Sequence, residues 1–457
     1  MAFEFTRRSF FDIGNKFHFL KKSSVDFLIV GFAFLFYLIC SLRIPMNLCP
    51  DEYMRFDIPK WIFNNNKLPI GDEKELINPL WGYSYGFSPY FASIVSVFFM
   101  RLVSLFTDEA TNLFLAARFI SVLSGTGTVL LSLLIGRELF KLRVTRFTFA
   151  VIVGFLPQFV FLSSYLNNDA FSVFCSALIL LAWIKGVKNC WSLQSCILLG
   201  IGISLESLAY FFAYGWILAS ILLAILTVFT DDEIQDKPIF FGKRVALLVF
   251  IFSLLAGWYF VRNYVIYNGD ILGMKASNAC AELNAPDAFK PSLHETMKLQ
   301  EKPFASILLR KSWYVSSIKS FICTFGYMTI KAPKIVYLFY VAFFIVGCAF
   351  WILSVFCRSF ELKYKFFYSM CFLCMILPLL VSIYHSYAID YQPQGRYLMS
   401  GLLPLALFVS SGYEWVVMKV LKKHVSSFMS IISFAYFSVF SVVFVKLLVG
   451  RCFGILE

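Results

Sequence analysis

The feature that most constrains the fold of this chain is a series of long apolar runs that recurs along its whole length. A run of roughly 18 or more apolar residues can cross a bilayer as a helix. Hydrophobic residues make up 60% of the 457 positions, charged residues only 15%, and the mean hydropathy is +0.76. These values exclude a soluble globular protein and predict an all-α polytopic membrane protein.

Basic residues set the predicted topology, because short cytoplasmic loops of membrane proteins are rich in Lys and Arg. The N-terminus carries several cations and is therefore placed inside: Arg7, Arg8, Lys16, Lys21 and Lys22. The later basic loops also fall inside if the chain crosses about eleven times, at residues 25–42, 113–136, 147–164, 170–186, 191–208, 211–229, 245–262, 334–356, 366–385, 397–418 and 427–448. The net charge of +13 thus reflects topology and does not indicate nucleic-acid binding.

One apolar run, 88–106, is predicted not to cross. It opens with Ser88-Pro89-Tyr90, is shorter than its neighbours and carries Arg101. A crossing here would also place the basic loop after residue 136 outside. We therefore expect an amphipathic helix that lies on the outer surface.

Four regions follow from this topology. Residues 1–24 form a cytoplasmic N-terminus. Residues 25–262 form a transmembrane catalytic core with a first outer loop at 43–112. Residues 263–333 form an extracytoplasmic loop region that we expect to be partly helical, and residues 334–457 form the C-terminal transmembrane helices.

Unusual polar residues collect on the predicted outer face. Asp51 and Glu52 follow the first run directly, and an acidic pair at the mouth of a span is costly unless it has a function. The other candidates are Arg118, Asn167, Asn168, Asp169, Glu206, Arg262, Asn263, His385, Arg396 and Tyr397. Residues 167–169 also fit a plain turn that caps the next helix. His385 also fits a structural contact, and the three arginines also fit side chains that reach for lipid headgroups.

Six motifs in order along the chain carry a family resemblance. They are Pro50-Asp51-Glu52, Ser88-Pro89-Tyr90, residues 117–121 with 136–140, Leu156-Pro157-Gln158 with residues 167–170, residues 257–263, and residues 394–398. Together they resemble the GT-C superfamily of polyprenyl-phosphate-sugar-dependent glycosyltransferases. The branch they resemble is near the lipid A aminoarabinose transferases and the protein O-mannosyltransferases.

This resemblance implies inverting transfer of a sugar from a polyprenyl phosphate, such as undecaprenyl phosphate. The acceptor would be a hydroxyl of a cell-envelope glycan or lipid on the outer side of a bacterial cytoplasmic membrane. Asp51 is the expected base, with Glu52 as the alternative base or as a group that orients the acceptor. Arg262 and Arg396, with Arg118 third, are expected to bind the leaving phosphate, because guanidinium groups bind phosphate bidentately.

The remaining candidates are expected to line the substrate pocket: Asn167, Asn168, Asp169, Glu206, Asn263, Tyr397 and His385. Asp51, Glu52 and Asp169 could cluster around a divalent metal, but no spacing requires one. We therefore predict no metal and no other cofactor.

A lipid or polysaccharide transporter or flippase is the alternative function. A transporter should carry polar groups at mid-membrane depth and an internal repeat. This chain has its polar groups at one face and no visible repeat. Several acceptors fit the sequence: O-antigen units, lipid A of lipopolysaccharide, a teichoic-acid-like polymer, another lipid or a protein. The sequence does not identify the sugar.

Overall fold

The structure is a computed structural model that describes residues 24–46, 48–420, 425–444, 446, 447 and 450. The basic residues that set the N-terminus inside lie outside these described residues. The α-helices are α1 (Ser24–Arg43), α2 (Glu52–Asn65), α3 (Phe91–Ser104), α4 (Ala110–Ala117), α5 (Phe119–Leu139), α6 (Arg143–Gly154), α7 (Pro157–Leu162), α8 (Asp169–Lys188), α9 (Leu193–Ser207), α10 (Gly215–Phe229), α11 (Lys237–Phe252), α12 (Trp258–Ile266), α13 (Met274–Asn284), α14 (Ala305–Leu308), α15 (Lys311–Cys323), α16 (Lys334–Cys357), α17 (Leu362–Ala388), α18 (Leu402–Val420) and α19 (Val425–Val443).

Shorter elements complete the chain. A π-helical turn at Ser253–Gly257 joins α11 to α12, and a 3₁₀ segment at Gly395–Gly401 leads into α18. Three more 3₁₀ turns lie at Tyr85–Phe87, Phe211–Ala213 and Asp287–Phe289. Two short strands, β1 (Thr324–Phe325) and β2 (Ile330–Lys331), form an antiparallel hairpin.

The all-α polytopic fold predicted from the apolar runs is confirmed. Within the described ranges, nine helical segments are long and apolar enough to cross a membrane: Ser24–Arg43, Ala110–Leu139, Asp169–Lys188, Phe211–Phe229, Lys237–Ile266, Lys334–Phe356, Leu362–Ala388, Gly395–Val420 and Ser426–Val443. The run predicted to lie on the surface, α3, is one of the shorter apolar helices, and its orientation stays a prediction.

Two of the eleven predicted spans are shorter than predicted. The run 147–164 is divided between α6 and α7, because Pro157 cannot continue a helix and disfavours helical geometry at the residue before it. The run 191–208 contains α9, whose 15 residues reach about 22 Å at 1.5 Å per residue. A hydrocarbon core is about 30 Å thick, so α9 does not span it alone.

The candidate residues are positioned by turns that meet at one end of the helix bundle, around the start of α8. The backbone N–H of Leu166, in the turn before α8, donates to Glu52 at the start of α2. Asn168, in the same turn, donates to the carbonyls of Pro89 and Ala209. The turns before α2, α3, α8 and α10 are thereby fixed to one another.

The region 263–333 is partly helical, as predicted, and it packs against the segment before α18. Helix α15 lies against the 3₁₀ segment Gly395–Gly401, and the hydroxyl of Ser320 on α15 accepts a hydrogen bond from the backbone N–H of Gly395 at 2.5 Å. The hairpin follows α15 directly, and Gly326 (φ 61) and Met328 (φ 64) make its left-handed turn.

Candidate active site

The centre of the candidate site is an ion pair between Asp51 and Arg396. Oδ2 of Asp51 accepts a hydrogen bond from Nη2 of Arg396 at 2.6 Å. Asp51 has a left-handed backbone (φ 60), a strained conformation that for a non-glycine residue is concentrated at functional sites. Its side chain is 29% exposed, whereas that of Arg396 is 9% exposed. The carboxylate is therefore accessible from outside, whereas the guanidinium beside it is buried.

Arg396 keeps most of its hydrogen-bond donors unused. A guanidinium has five N–H groups. Nη2 uses its two on Asp51 and on the hydroxyl of Tyr397, the latter at 3.2 Å. Nε and Nη1, which carry the other three, have no hydrogen-bond partner among the described residues. Buried donors of this kind are costly unless a ligand satisfies them.

Asp169 and Arg55 extend this centre. Asp169 is 2% exposed at the first turn of α8, and neither of its carboxylate oxygens has a hydrogen-bond partner in the described part of the chain. Arg396 and Arg55 are the cations that act on it electrostatically. Arg55 lies one helical turn after Asp51, and its guanidinium carbon sits 4.3 Å from the centre of the Tyr85 ring.

The charges around Asp51 keep it ionised. Burial is the largest single effect and acts to raise its pKa, but the charges of Arg396 and Arg55 together with the hydrogen bonds to Asp51 outweigh it, so the net result is a lowered pKa. A hydrogen bond with Tyr85 acts in the same direction. A carboxylate in this state is an anion at neutral pH and can accept a proton.

Glu52 and Arg118 form a separate, closed pair. Nε and Nη2 of Arg118 donate to Oε1 and Oε2 of Glu52, each at 2.7 Å. Nη1 of Arg118 donates to the carbonyls of Ser41 and Ile44. Each nitrogen of this guanidinium is therefore held by the protein, and the phosphate role predicted for Arg118 finds no support in the geometry. The geometry likewise gives no support to proton transfer by Glu52, because Arg118 donates to both of its carboxylate oxygens.

Two of the three residues in the turn 167–169 act as turn residues. Asn167 donates to the carbonyls of Leu162 and Tyr165, and its own side-chain oxygen accepts from the N–H of Ala170. Asn168 bonds to backbone carbonyls, as described above. Asp169 is the member of this turn whose side chain joins the charged centre.

Arg262 lies against the first loop and not beside Asp51. Its Nη2 donates to the carbonyl of Pro69, and the Tyr267 hydroxyl donates to the next carbonyl, that of Ile70. Asn263 is fully buried and donates to the carbonyl of Ile271 at 3.1 Å. These contacts fasten the first loop to α12, and the phosphate-binding role predicted for Arg262 stays a prediction.

The other predicted pocket residues divide between two places. Glu206 is fully buried between α8 and α9, where its oxygens accept from the hydroxyls of Ser172 and Ser176 at 2.6 and 2.9 Å. Tyr397 contacts Arg396 directly. The His385 ring lies 6.1 Å from the Tyr397 ring, which makes it a neighbour of the site through packing.

A small, partly open cavity adjoins the ion pair and has room for about one water molecule. Its lining combines neutral hydrogen-bonding and aromatic side chains with Arg396: Pro50, Gln158, Phe161, Tyr165, Ser320, Thr324, Gly326, Met328, Gln394 and Arg396. The cavity runs from Pro50, next to Asp51, to the hairpin that follows α15. Residues of the region 263–333 thus share this small cavity with Arg396.

The three carboxylates considered as a metal cluster do not act as one group. Glu52 pairs with Arg118, whereas Asp51 pairs with Arg396. Across the described residues, the group of three potential ligands close enough to share an ion is a different one, namely Cys190, Asp231 and Glu233.

Sequence reasoning missed Arg55 and the aromatic side chains around it. The signal was available, since Arg55 follows Asp51 at a spacing of four on a helix that opens with Glu52, and residues at that spacing share a face. Tyr85 and Tyr165 carried no signal of this kind, because their closeness to Asp51 and Arg396 depends on tertiary packing.

The fold and the ion-paired carboxylate define a polytopic membrane protein with a charged centre at one end of its helix bundle. No protein-family model and no curated protein matches this chain. Solved structures do. An oligosaccharyltransferase from Archaeoglobus fulgidus with a tethered acceptor peptide has a TM-score of 0.57 and 15% identity, over 92% of this chain and 55% of its own.

ArnT from Cupriavidus metallidurans is similar as well. Its apo structure gives a TM-score of 0.55 and 12% identity, over 95% of this chain and 78% of ArnT. Its complex with undecaprenyl phosphate gives 0.51 and 14%, over 94% and 73%. The chain thus shares its fold with these two proteins, and the fold implied by the resemblance read from its sequence is confirmed. It spans about half the length of the oligosaccharyltransferase.

Proposed function

We propose that this protein is an integral-membrane, inverting glycosyltransferase. It moves a sugar from a polyprenyl-phosphate donor to a hydroxyl of a cell-envelope glycan or lipid. The reaction takes place on the outer face of a bacterial cytoplasmic membrane. The observation that carries the proposal is the Asp51–Arg396 pair, in which an accessible carboxylate lies beside a buried guanidinium with three unused N–H groups.

Asp51 suits deprotonation of the acceptor, and Arg396 suits departure of the phosphate. The acceptor hydroxyl attacks the anomeric carbon and loses its proton to the Asp51 carboxylate. The bond from the anomeric carbon to the phosphate oxygen breaks, and its electrons stay on the phosphate. As in glycoside hydrolysis, the transition state has oxocarbenium character, so charge develops on the leaving group.

Arg396 is placed to hold that charge. Its Nε and Nη1 carry three N–H groups without partners among the described residues, and phosphate oxygens can accept hydrogen bonds from them. Burial strengthens this interaction, because a dry site screens charge less than water does. Arg55 contributes a second positive charge, and both arginines interact electrostatically with the buried Asp169.

The sequence predicts that Arg262 binds the phosphate of the lipid donor. In this proposal its contribution is indirect. Arg262 keeps the first loop on α12 by its bond to Pro69, and that loop also carries Tyr85, which contacts Arg55 and Asp51. The structure of ArnT with undecaprenyl phosphate supports the choice of lipid, because its fold resembles that of this chain.

The experiment that tests the function uses the full chain in lipid nanodiscs with a panel of undecaprenyl-phosphate sugars. The measurement is release of undecaprenyl phosphate when a cell-envelope extract is added as acceptor. The expected result is release with at least one sugar, abolished by Asp51→Asn. A transporter or flippase would move the lipid without cleaving it, so intact donors throughout the panel would contradict the proposal. Mass analysis of surface glycans, with and without the protein, then names the sugar.

A further inference from the structure

A chain of hydrogen bonds leads from Arg396 to the segment before α18. Nη2 of Arg396 donates to the Tyr397 hydroxyl at 3.2 Å, and that hydroxyl donates to Oε1 of Gln392. Nε2 of Gln392 donates in turn to Oδ2 of Asp390 at 2.5 Å. The chain thus begins at a guanidinium, which only donates, and ends at a carboxylate, which only accepts.

These two ends fix the direction of every bond between them. Oδ2 of Asp390 accepts, so Gln392 turns its NH₂ group toward it. The carbonyl oxygen of Gln392 then faces Tyr397, and the single hydroxyl proton of Tyr397 points to that oxygen. The lone pairs of the Tyr397 hydroxyl are left for Arg396, which needs an acceptor.

Packing holds the members of this chain at fixed positions. The Tyr397 ring stacks on Phe212 with a centroid distance of 4.6 Å and an angle of 12° between the planes. The hydroxyl of Ser386 donates to the backbone carbonyl of Gln392 at 3.3 Å. Asp390 is held from the other side by His294, whose Nε2 lies 3.5 Å from Oδ1.

These hydrogen bonds determine the rotational orientation of the Arg396 guanidinium. Asp51 and Tyr397 together occupy both protons of Nη2, which leaves the N–H groups of Nε and Nη1 as the donors available to a ligand. If the Tyr397 hydroxyl stopped accepting, Nη2 would have one anchor, and the guanidinium could rotate so that Nε or Nη1 bonds to Asp51 or Asp169. The three donors would then no longer be preorganised for an anion.

We propose that Gln392 is a positioning residue, which through the hydroxyl of Tyr397 holds Arg396 so that its Nε and Nη1 donors stay available to the phosphate of the lipid donor. This inference rests on the proposed function. Neither Gln392 nor Asp390 touches the substrate in it. Their role is to set the direction of the hydrogen bond that Arg396 makes.

The test measures binding of undecaprenyl phosphate to the full chain in nanodiscs. Gln392→Leu and Tyr397→Phe should each weaken binding by about tenfold, the scale of a hydrogen bond to a charged group. The two changes combined should weaken binding no more than about twofold beyond either alone, since they break the same chain. The matched controls, Gln300→Leu in the region 263–333 and Tyr391→Phe on the same segment as Tyr397, should bind like the wild type.

A polarity swap separates positioning from simple packing. In the double variant Asp390→Asn with Gln392→Glu, the new amide donates to the new carboxylate, which again accepts from Tyr397. Binding should return to within about threefold of the wild type. Unchanged binding in Gln392→Leu, additive losses, or a swap no better than Gln392→Leu would each overturn the inference while leaving the proposed function standing. A wild-type protein that does not bind undecaprenyl phosphate would overturn the proposed function itself, and the inference with it.

Discussion

The guanidinium of Arg118 lies against the carboxylate of Glu52 with two parallel hydrogen bonds of 2.7 Å, and neither side chain has any exposed surface. The same pair holds the carbonyls of Ser41 and Ile44 at the end of α1 and the N–H of Leu166 before α8. It therefore ties three separate stretches of chain together. Two neighbouring carboxylates, Asp51 and Glu52, thus have different partners and, we argue, different roles.

Glu52→Gln should destabilise the fold. The change leaves Arg118 as a buried charge without a counter-ion, which costs roughly 3–5 kcal/mol. The measurement is thermal unfolding in nanodiscs. The control is Glu138→Gln, because the Glu138–Lys188 pair is partly exposed and such pairs contribute roughly 1 kcal/mol or less. A Glu52→Gln protein of normal stability but without transfer would instead make Glu52 the base.

Asp51→Asn should leave the fold intact and remove transfer. Asparagine keeps the size of the side chain but cannot take a proton, and loss of a general base costs roughly a hundredfold to ten-thousandfold in rate. Release of undecaprenyl phosphate should fall by that amount, while the protein stays folded with a thermal midpoint only modestly lowered by loss of the partly exposed ion pair with Arg396. Asp57→Asn, on the same helix, is the matched control and should transfer normally. Near-normal transfer by Asp51→Asn would end the assignment of Asp51 as the base.

Much of this arrangement follows from the sequence, and the part that does not has a physical cause. Apolar runs are local, so the helices and the polytopic class could be predicted. Asp51 and Arg396 could be named because their residue types suit the chemistry and the topology puts them on one side. Which partner a charged side chain binds is not determined by the sequence around it. Arg118 and Arg262 are the same residue type as Arg396, yet one meets Glu52 and the other a loop carbonyl, and only packing decides this.

Arg396→Ala should weaken the binding of undecaprenyl phosphate more than Arg262→Ala does. Arg396 offers three unused donors beside Asp51, whereas Arg262 already donates to Pro69. Hydrogen bonds to charged groups contribute roughly 1.5–3 kcal/mol each, so losing Arg396 should cost about a hundredfold in affinity. Arg262→Ala should mainly loosen the first loop, which limited proteolysis between residues 66 and 90 would detect. Equal losses of affinity in both variants would restore Arg262 to the phosphate site.

The pH dependence of transfer should move when Arg396 is removed. The lowered pKa of Asp51 keeps the base ionised at neutral pH, so the rate should fall only as the pH drops below the ordinary carboxylate range. Arg396 is the larger of the two cationic effects on this pKa, and burial opposes it. In Arg396→Gln the acid limb of kcat/KM should therefore shift to higher pH. Arg55→Gln should give a smaller shift in the same direction.

The same ion pair determines how the stability of the folded protein changes with pH. A carboxylate whose pKa is lowered by folding stabilises the folded state above its unfolded pKa, and that stability is lost as the pH falls through the folded pKa. The control is the pH profile of transfer by Arg262→Gln, because Arg262 is not among the largest influences on the pKa of Asp51. An acid limb that stays in place in Arg396→Gln would show that a group other than Asp51 controls it.

Gly395→Ala should displace Arg396 without touching its side chain. A Cβ at residue 395 would lie 2.0 Å from the backbone nitrogen of Phe321 and 2.4 Å from the carbonyl oxygen of Ser317, both on α15. Backbone atoms of a packed helix cannot move aside cheaply, so the segment that carries Arg396 must shift, at a cost of roughly 1–3 kcal/mol or more. Affinity for undecaprenyl phosphate should then fall together with the thermal midpoint.

The same segment provides a control for that change. At Gly401 a Cβ would come no closer than 3.4 Å to Met375, which is ordinary van der Waals contact, so Gly401→Ala should bind and unfold like the wild type. A Gly395→Ala protein with normal affinity would mean that α15 does not fix the position of Arg396. The region 263–333 would then have no part in organising the charged centre, and its contact with Gly395 would be packing alone.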